Sequence, residues 1–235
     1  MFTVALIGPD GAGKSTITKR LPDVLPVRMK AIYMGVNLES SGLMLPSTRL
    51  VLAYRRARGG RADLTASSDP RQAREVLHGP VARALRSTKS ALRLTNWVGE
   101  EWLRQAVAWY HQRSGTVVVF DRHFFIDYYT SDIAKTSFER PLSRRIHGFL
   151  LDRVYPRPDL TILLDAPGQV LFERKGEASA EWLEQRRRDY LEMTDVLPRV
   201  AVVDATRPLA EVVRDVADII FSFYREQKTK QGGRA

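Results

Sequence analysis

A chain of 235 residues, 44% hydrophobic and 27% charged, is the length of one globular domain with room for an insert. It has no cysteine, which removes disulfides, thiolate zinc sites and a cysteine nucleophile, and His78, His111, His123 and His147 never fall at the i, i+4 spacing of a helical metal pair. The net charge of +10 is local: residues 49–93 hold 11 basic and 3 acidic residues, net +8, so the other 190 residues carry only +2.

The chain opens on a strand-like apolar run, Phe2–Ile7, ended by Gly8. A helix is predicted from about Gly13 to Leu25, with Pro22 disturbing its last turn. Val27–Met34 reads as a second buried strand. Residues 35–79 then lose regularity, with Gly42, Pro46, Gly59, Gly60, Pro70 and Gly79 around one amphipathic piece at Leu50–Arg58; they read as an insert, about 36–80, of short helices and loops. Apolar residues at helical spacing predict a long helix, or a pair broken at Gly99, over 81–113.

Thr116–Phe120 is the third strand, and a basic helix follows at about 141–154. Asp159–Leu164 is the fourth strand. After Pro167 come a helix, the polar segment Arg174–Ser179 and a charged helix through about Met193. Val200–Val203 is the fifth strand, Leu209–Tyr224 the last helix, and 228–235 a frayed tail. Five alternations of strand and helix, with mostly continuous apolar strands, predict an α/β fold with a parallel sheet buried between helices, in one domain over 1–227. No run reaches the roughly 18–20 apolar residues of a membrane span. The start of the chain lacks a basic lead-in, so a cytoplasmic protein without a signal peptide is expected.

Gly8-Pro-Asp-Gly-Ala-Gly-Lys14-Ser15 matches G-x-x-x-x-G-K-[ST] and lies between a predicted strand and a predicted helix. Glycines there let backbone N–H groups turn inward around a polyphosphate, helped by the positive end of the helix dipole. Gly8, Gly11, Ala12, Gly13, Lys14, Ser15 and Thr16 are therefore candidate nucleotide-binding residues. Lys14 has the reach for the β- and γ-phosphates, and the Ser15 hydroxyl suits Mg²⁺.

Asp121-Arg122 follows the third strand, and ligands collect outside the carboxyl ends of parallel strands. This pair reads either as a metal-holding or proton-accepting carboxylate beside a phosphate-binding guanidinium, or as a helix cap beside a solvated arginine. Arg174-Lys175 reads equally as part of a lid (about 174–186) or as a solvated face. For Arg186-Arg187-Arg188 the solvated face is preferred. In Asp204-Ala-Thr-Arg207-Pro208, Arg207 has the chemistry to stack on a nucleotide base, and the same residues also make a helix start.

GPDGAGKST, VVVFDRH, PRPDLTILLDAP, FERKGE with its basic helix, and VVDATRPLAEV together resemble the thymidylate kinase-like branch of the P-loop kinases, within the nucleoside monophosphate kinase superfamily, over residues 2 to about 217. The resemblance implies a three-layer P-loop NTPase fold with strand order 2-3-1-4-5, ATP with Mg²⁺, and transfer to a small acceptor. By position, Lys14 and Ser15 would serve ATP and metal. Asp10 and Asp121 would lie near metal and the transferred group, Arg122 would hold an acceptor phosphate, and Arg174 would belong to the lid. A nucleoside monophosphate is the first acceptor this implies.

Two stretches depart from the family. Tyr33-Met-Gly-Val-Asn37 stands where thymidylate kinases carry Arg-Glu-Pro, and His123–Tyr129 lacks their Ser and Gln. A sugar, sugar phosphate or lipid-linked alcohol is thus the second acceptor class, and a non-catalytic nucleotide-binding module the third reading. The basic insert reads first as a solvated surface. Behind that come contact with an acidic acceptor, contact with a membrane surface, and contact with nucleic acid, the last disfavoured because Tyr54 is the only aromatic among its arginines. Trp97, Trp102 and Trp109 read as core before they read as a homodimer interface.

Overall fold

The computed structural model describes residues 1–35, 42–57, 80–129, 133, 142–176 and 178–232. The strands are β1 (Thr3–Ile7), β2 (Met29–Tyr33), β3 (Val117–Asp121), β4 (Leu160–Asp165) and β5 (Val200–Asp204). They form one all-parallel sheet in the order β2-β3-β1-β4-β5, the order implied by the resemblance. In register, Leu6 stands opposite Asp121 on one side and Ile162 on the other. The inner strands β1, β3 and β4 are buried on both faces, as continuous Val, Ile and Leu runs require. The second strand is corrected from a buried run to a sheet edge: with one neighbour only, it exposes Lys30 and Ala31.

The chain divides into two compact units: residues 1–32, 107–127 and 156–235, and residues 33–106 and 128–155. The insert predicted at 36–80 falls in the second, although 36–41 and 58–79 lie outside the described residues.

In the first unit, α1 (Lys14–Val24) and α8 (Leu209–Gly232) lay Ile17, Leu21, Val212, Val216 and Ile220 against Val4, Leu6, Val119, Ile162 and Leu164 in one apolar core. Pro22 is accommodated in the last turn of α1, where the helix is ending in any case. Helix α8 continues to Gly232 and takes in residues 228–232, assigned above to a frayed tail. Phe223 packs edge-on against Phe2, and Glu226 joins both Arg199 (2.7 Å) and Lys230 (2.9 Å). Residues 233–235 lie outside the described residues.

The second unit contains α2 (Pro46–Ala57), most of α3 (Pro80–Arg113) and α5 (Leu142–Arg153). Helix α3 is unbroken, and Gly99 serves close packing: a Cβ there would lie 3.1 Å from Leu45 Cδ1. Trp97 faces Tyr128 and His147, and Trp102 meets Tyr155 edge-on, so both make internal aromatic contacts. No helix among the described residues is long and apolar enough to cross a membrane.

Candidate active site

The loop between β1 and α1 is a cradle that only glycine permits at two points. Gly8 (φ 142°) and Gly11 (φ 91°) take positive φ, and a Cβ at either would approach the carbonyl oxygens of Leu164 (2.6 Å) and Leu171 (2.7 Å). Helix α1 begins at Lys14, so its first free N–H groups cap this cradle. The Lys14 ammonium is buried and donates to the loop carbonyls of Gly8 (2.6 Å) and Pro9 (2.8 Å). Burial, and then repulsion from Arg122, push its pKa down to about 8.

Asp121 ends β3, buried, and its Oδ1 has no hydrogen-bond partner among the described residues. Arg122 follows with φ 72°, a left-handed conformation unusual for a residue with a side chain. That turn aims its guanidinium back at the phosphate loop, where it donates to Asp10 Oδ1 at 2.6 Å. Burial would raise the Asp10 pKa, but the charges of Arg122, Lys14 and Lys175 outweigh it and hold the carboxyl below its usual value.

Three further cations close the same cavity, of about 480 Å³ and lined by Asp10 through Ile17 and by Arg122, Arg174, Lys175, Ala205, Arg207, Leu209 and Val212. Arg174 and Lys175 end α6 (Gly168–Lys175), and Arg174 donates to the Ala205 carbonyl at 2.9 Å. Arg207 is oriented by an ion pair with Asp215, while Asp204 folds its own loop by accepting from Thr206 N (2.9 Å) and Thr206 Oγ (2.6 Å). Polyphosphate fits the cationic end near the loop. Arg207 shares the lining with Ala205, Leu209 and Val212, a mix of guanidinium and apolar surface with the chemistry to take a flat base.

Of the residues predicted for the site, all but Gly8 and Asp121 line this cavity; Gly8 accepts from Lys14 through its carbonyl, and Asp121 ends β3. Among the described residues no group of three or more histidine, aspartate or glutamate side chains is placed to hold a metal ion by itself. Ser15 and the unpartnered Asp121 oxygen suit a magnesium ion that takes most of its ligands from phosphate and water.

Arg187 departs from the solvated face preferred for residues 186–188. On α7 (Ala180–Glu192) it forks onto both oxygens of Asp165 at the end of β4, at 2.6 and 2.8 Å, and also reaches Glu184 (3.0 Å). Glu184 accepts from the Gly168 amide at 2.8 Å, so α6 and α7 are tied to each other and to the sheet. Arg188 alone keeps a largely exposed side chain. Arg186 lies over the rings of Tyr190 (5.3 Å) and Trp182 (5.8 Å).

Asp127 is an acid that the sequence analysis did not single out. It stands on the short helix α4 (Phe124–Tyr128), and the buried Tyr190 hydroxyl donates to it at 3.4 Å. Burial raises its pKa against the pull of the Arg122, Lys14 and Arg186 charges. A lone acid in the apolar run Phe124–Tyr129 was the available signal.

No protein-family model matches the chain. Over 123 residues it is 37% identical to a protein of Archaeoglobus fulgidus named probable thymidylate kinase, covering 49% of this chain and 59% of that one. Over 81 residues it is 31% identical to a thymidylate kinase of Pseudoalteromonas translucida, covering 31% of this chain and 39% of that one. At 26% identity the similarity extends over 92% of this chain and 93% of a thymidylate kinase of Lactobacillus helveticus. The chain thus spans little more than half of the first of these relatives and less than half of the second.

Proposed function

We propose that this chain, thymidylate kinase-like in its sheet order, its phosphate loop and its curated relatives, moves the γ-phosphoryl group of ATP to a small acceptor, a nucleoside monophosphate in first place. The observation that carries the reading is one cavity that joins the glycine cradle and Lys14 to Arg122, Arg174 and Lys175. Phosphoryl transfer asks little covalent chemistry of a protein and much positioning and charge. Lys14 would leave its two loop carbonyls for phosphate oxygens, and Arg122 would hold an anionic acceptor. Arg174 and Lys175 would face the charge that develops on the transferring group. Magnesium bound with ATP would neutralise phosphate charge beside Ser15 and Asp121.

A second reading, an alcohol acceptor such as a sugar, is favoured by Asp127. A phosphate acceptor arrives already ionised, whereas a hydroxyl must lose a proton, and a carboxylate with a raised pKa suits that task. Release of ADP from ATP and Mg²⁺ should therefore be screened against nucleoside monophosphates, sugars and sugar phosphates, with wild type and Asp127→Asn side by side. Turnover of a monophosphate, retained in Asp127→Asn, supports the first reading. Turnover of an alcohol, abolished in the variant, supports the second. ADP release that no acceptor stimulates would defeat both.

A further inference from the structure

The second unit buries a charged pair that the nucleotide chemistry does not use. Arg104 is wholly buried in the middle of α3, and Glu100, one turn earlier, is 1% exposed. The two are joined by a short ion pair. Two charges removed from water are costly unless their remaining donors and acceptors are satisfied, so where those bonds go is informative. The Arg104 guanidinium donates to the Tyr33 carbonyl (3.2 Å) and the Gly35 carbonyl (3.4 Å), and the other Glu100 oxygen accepts from the Leu45 amide (2.8 Å).

Tyr33 ends β2, so Tyr33-Met34-Gly35 leaves the sheet from its carboxyl end, the end at which parallel sheets of this kind bind ligands. Leu45 lies just before α2, on the far side of residues 36–41, which are outside the described residues. Neighbouring contacts hold the same two segments to α3. Leu45 sits in the space left by Gly99, Met34 is fully buried, and Asn96 donates to Thr48 (2.6 Å) and accepts from Ser47 (2.6 Å).

We infer that Glu100 and Arg104 are positioning residues for the acceptor: they clasp Tyr33–Gly35 and Leu45 to α3 and so fix the backbone that follows the carboxyl end of β2. The inference rests on the kinase reading and adds to it a determinant of acceptor affinity that touches neither ATP nor the reacting atoms. Lysine at 104 keeps the charge but offers a point donor in place of a fork, and glutamine at 100 keeps the shape without the charge.

The test compares Glu100→Gln and Arg104→Lys with wild type in the full chain, by hydrogen exchange and by steady-state kinetics with thymidine 5′-monophosphate and ATP as probes. Amide exchange should speed up at 33–35 and 44–48 and stay unchanged in β1, β3 and the phosphate loop. The KM for the monophosphate should rise roughly tenfold while the KM for ATP holds. Unchanged exchange at 33–35 and 44–48 would overturn the inference. So would faster exchange throughout the chain, or a rise in the ATP KM equal to that of the acceptor. If wild type turns over no nucleoside monophosphate, the nucleotide reading fails by itself, and the clasp is decided by the exchange pattern alone.

Discussion

Arg122 carries two opposed roles in one residue. Its side chain pairs with Asp10 at the cavity beside the β1–α1 loop, and its backbone holds a left-handed φ of 72° to bring it there. A left-handed non-glycine residue costs about 1–2 kcal/mol, and glycine escapes most of that cost. Arg122→Gly and Arg122→Ala both delete the guanidinium, so both should lower kcat/KM for an anionic acceptor by about 100-fold. They should separate in stability. The glycine variant should exceed the alanine variant by about 1 kcal/mol in urea unfolding, because only glycine relieves the backbone. Equal midpoints would mean that the conformation stores no strain, and unchanged kinetics would remove Arg122 from the site. Asp121 and Arg122 were legible in the sequence because a strand end is a position with a chemical consequence. The φ of Arg122 and its pairing with Asp10 were not, since no one-dimensional pattern encodes a left-handed turn at arginine.

Among the elements, the hairpin of α6 and α7 shows how a charge run misleads. Three successive arginines at 186–188 resemble a solvated face, yet a helix turns 100° per residue, so they point three ways. Arg188 reaches water, Arg186 covers Tyr190, and Arg187 points inward onto Asp165. The fork from Arg187 is part-buried and two-pronged, and hydrogen bonds from the same guanidinium and from Gly168 meet on Glu184. Arg187→Ala should therefore destabilise the chain by about 2 kcal/mol, well above an exposed pair, and should loosen Arg174 and Lys175 at the end of α6. Arg188→Ala, measured in the same urea titration, should fall within about 0.5 kcal/mol of wild type. A similar loss in both variants would return the whole run to the solvated face. The same limit explains Gly99. Glycine in a helical pattern reads as a break, and only the approach of Leu45 shows why α3 keeps it. Strand and helix positions were readable because apolar periodicity and loop glycines act locally, whereas the strand order, a matter of long-range pairing, came from the family resemblance alone. The Glu100–Arg104 clasp was not readable, because its partners are distant in sequence, and Asp127 stood out only as a lone acid whose partner Tyr190 lies 63 residues away.

At the scale of the whole molecule, the net charge of +10 separates into a basic stretch at 49–93 and a nearly neutral remainder whose cavity is nonetheless cationic. Lys14, Arg122, Arg174, Lys175 and Arg207 line that cavity with Asp10 as their lone acidic companion there. Without an anion this arrangement opposes folding, and Lys14 shows the sign. Its folded pKa of about 8 lies below the unfolded 10.5, so the unfolded chain binds the extra proton between those values. The cost is present in full below pH 8 and fades as pH rises toward 10.5. Lys14→Met should accordingly melt higher than wild type at pH 7, with the difference closing near pH 10. A polyphosphate reverses the balance by binding only the folded chain. Tripolyphosphate at 100 times its Kd should stabilise wild type by about 2.7 kcal/mol, or roughly 5–10 °C in Tm for a chain of this size. Lys14→Met should lose most of that shift, and adenosine, which lacks the charge, should produce little in either protein. A tripolyphosphate shift equal in both proteins would place the anion away from the phosphate loop. A Lys14→Met variant less stable at pH 7 would show that the two carbonyl bonds outweigh burial and the neighbouring arginine.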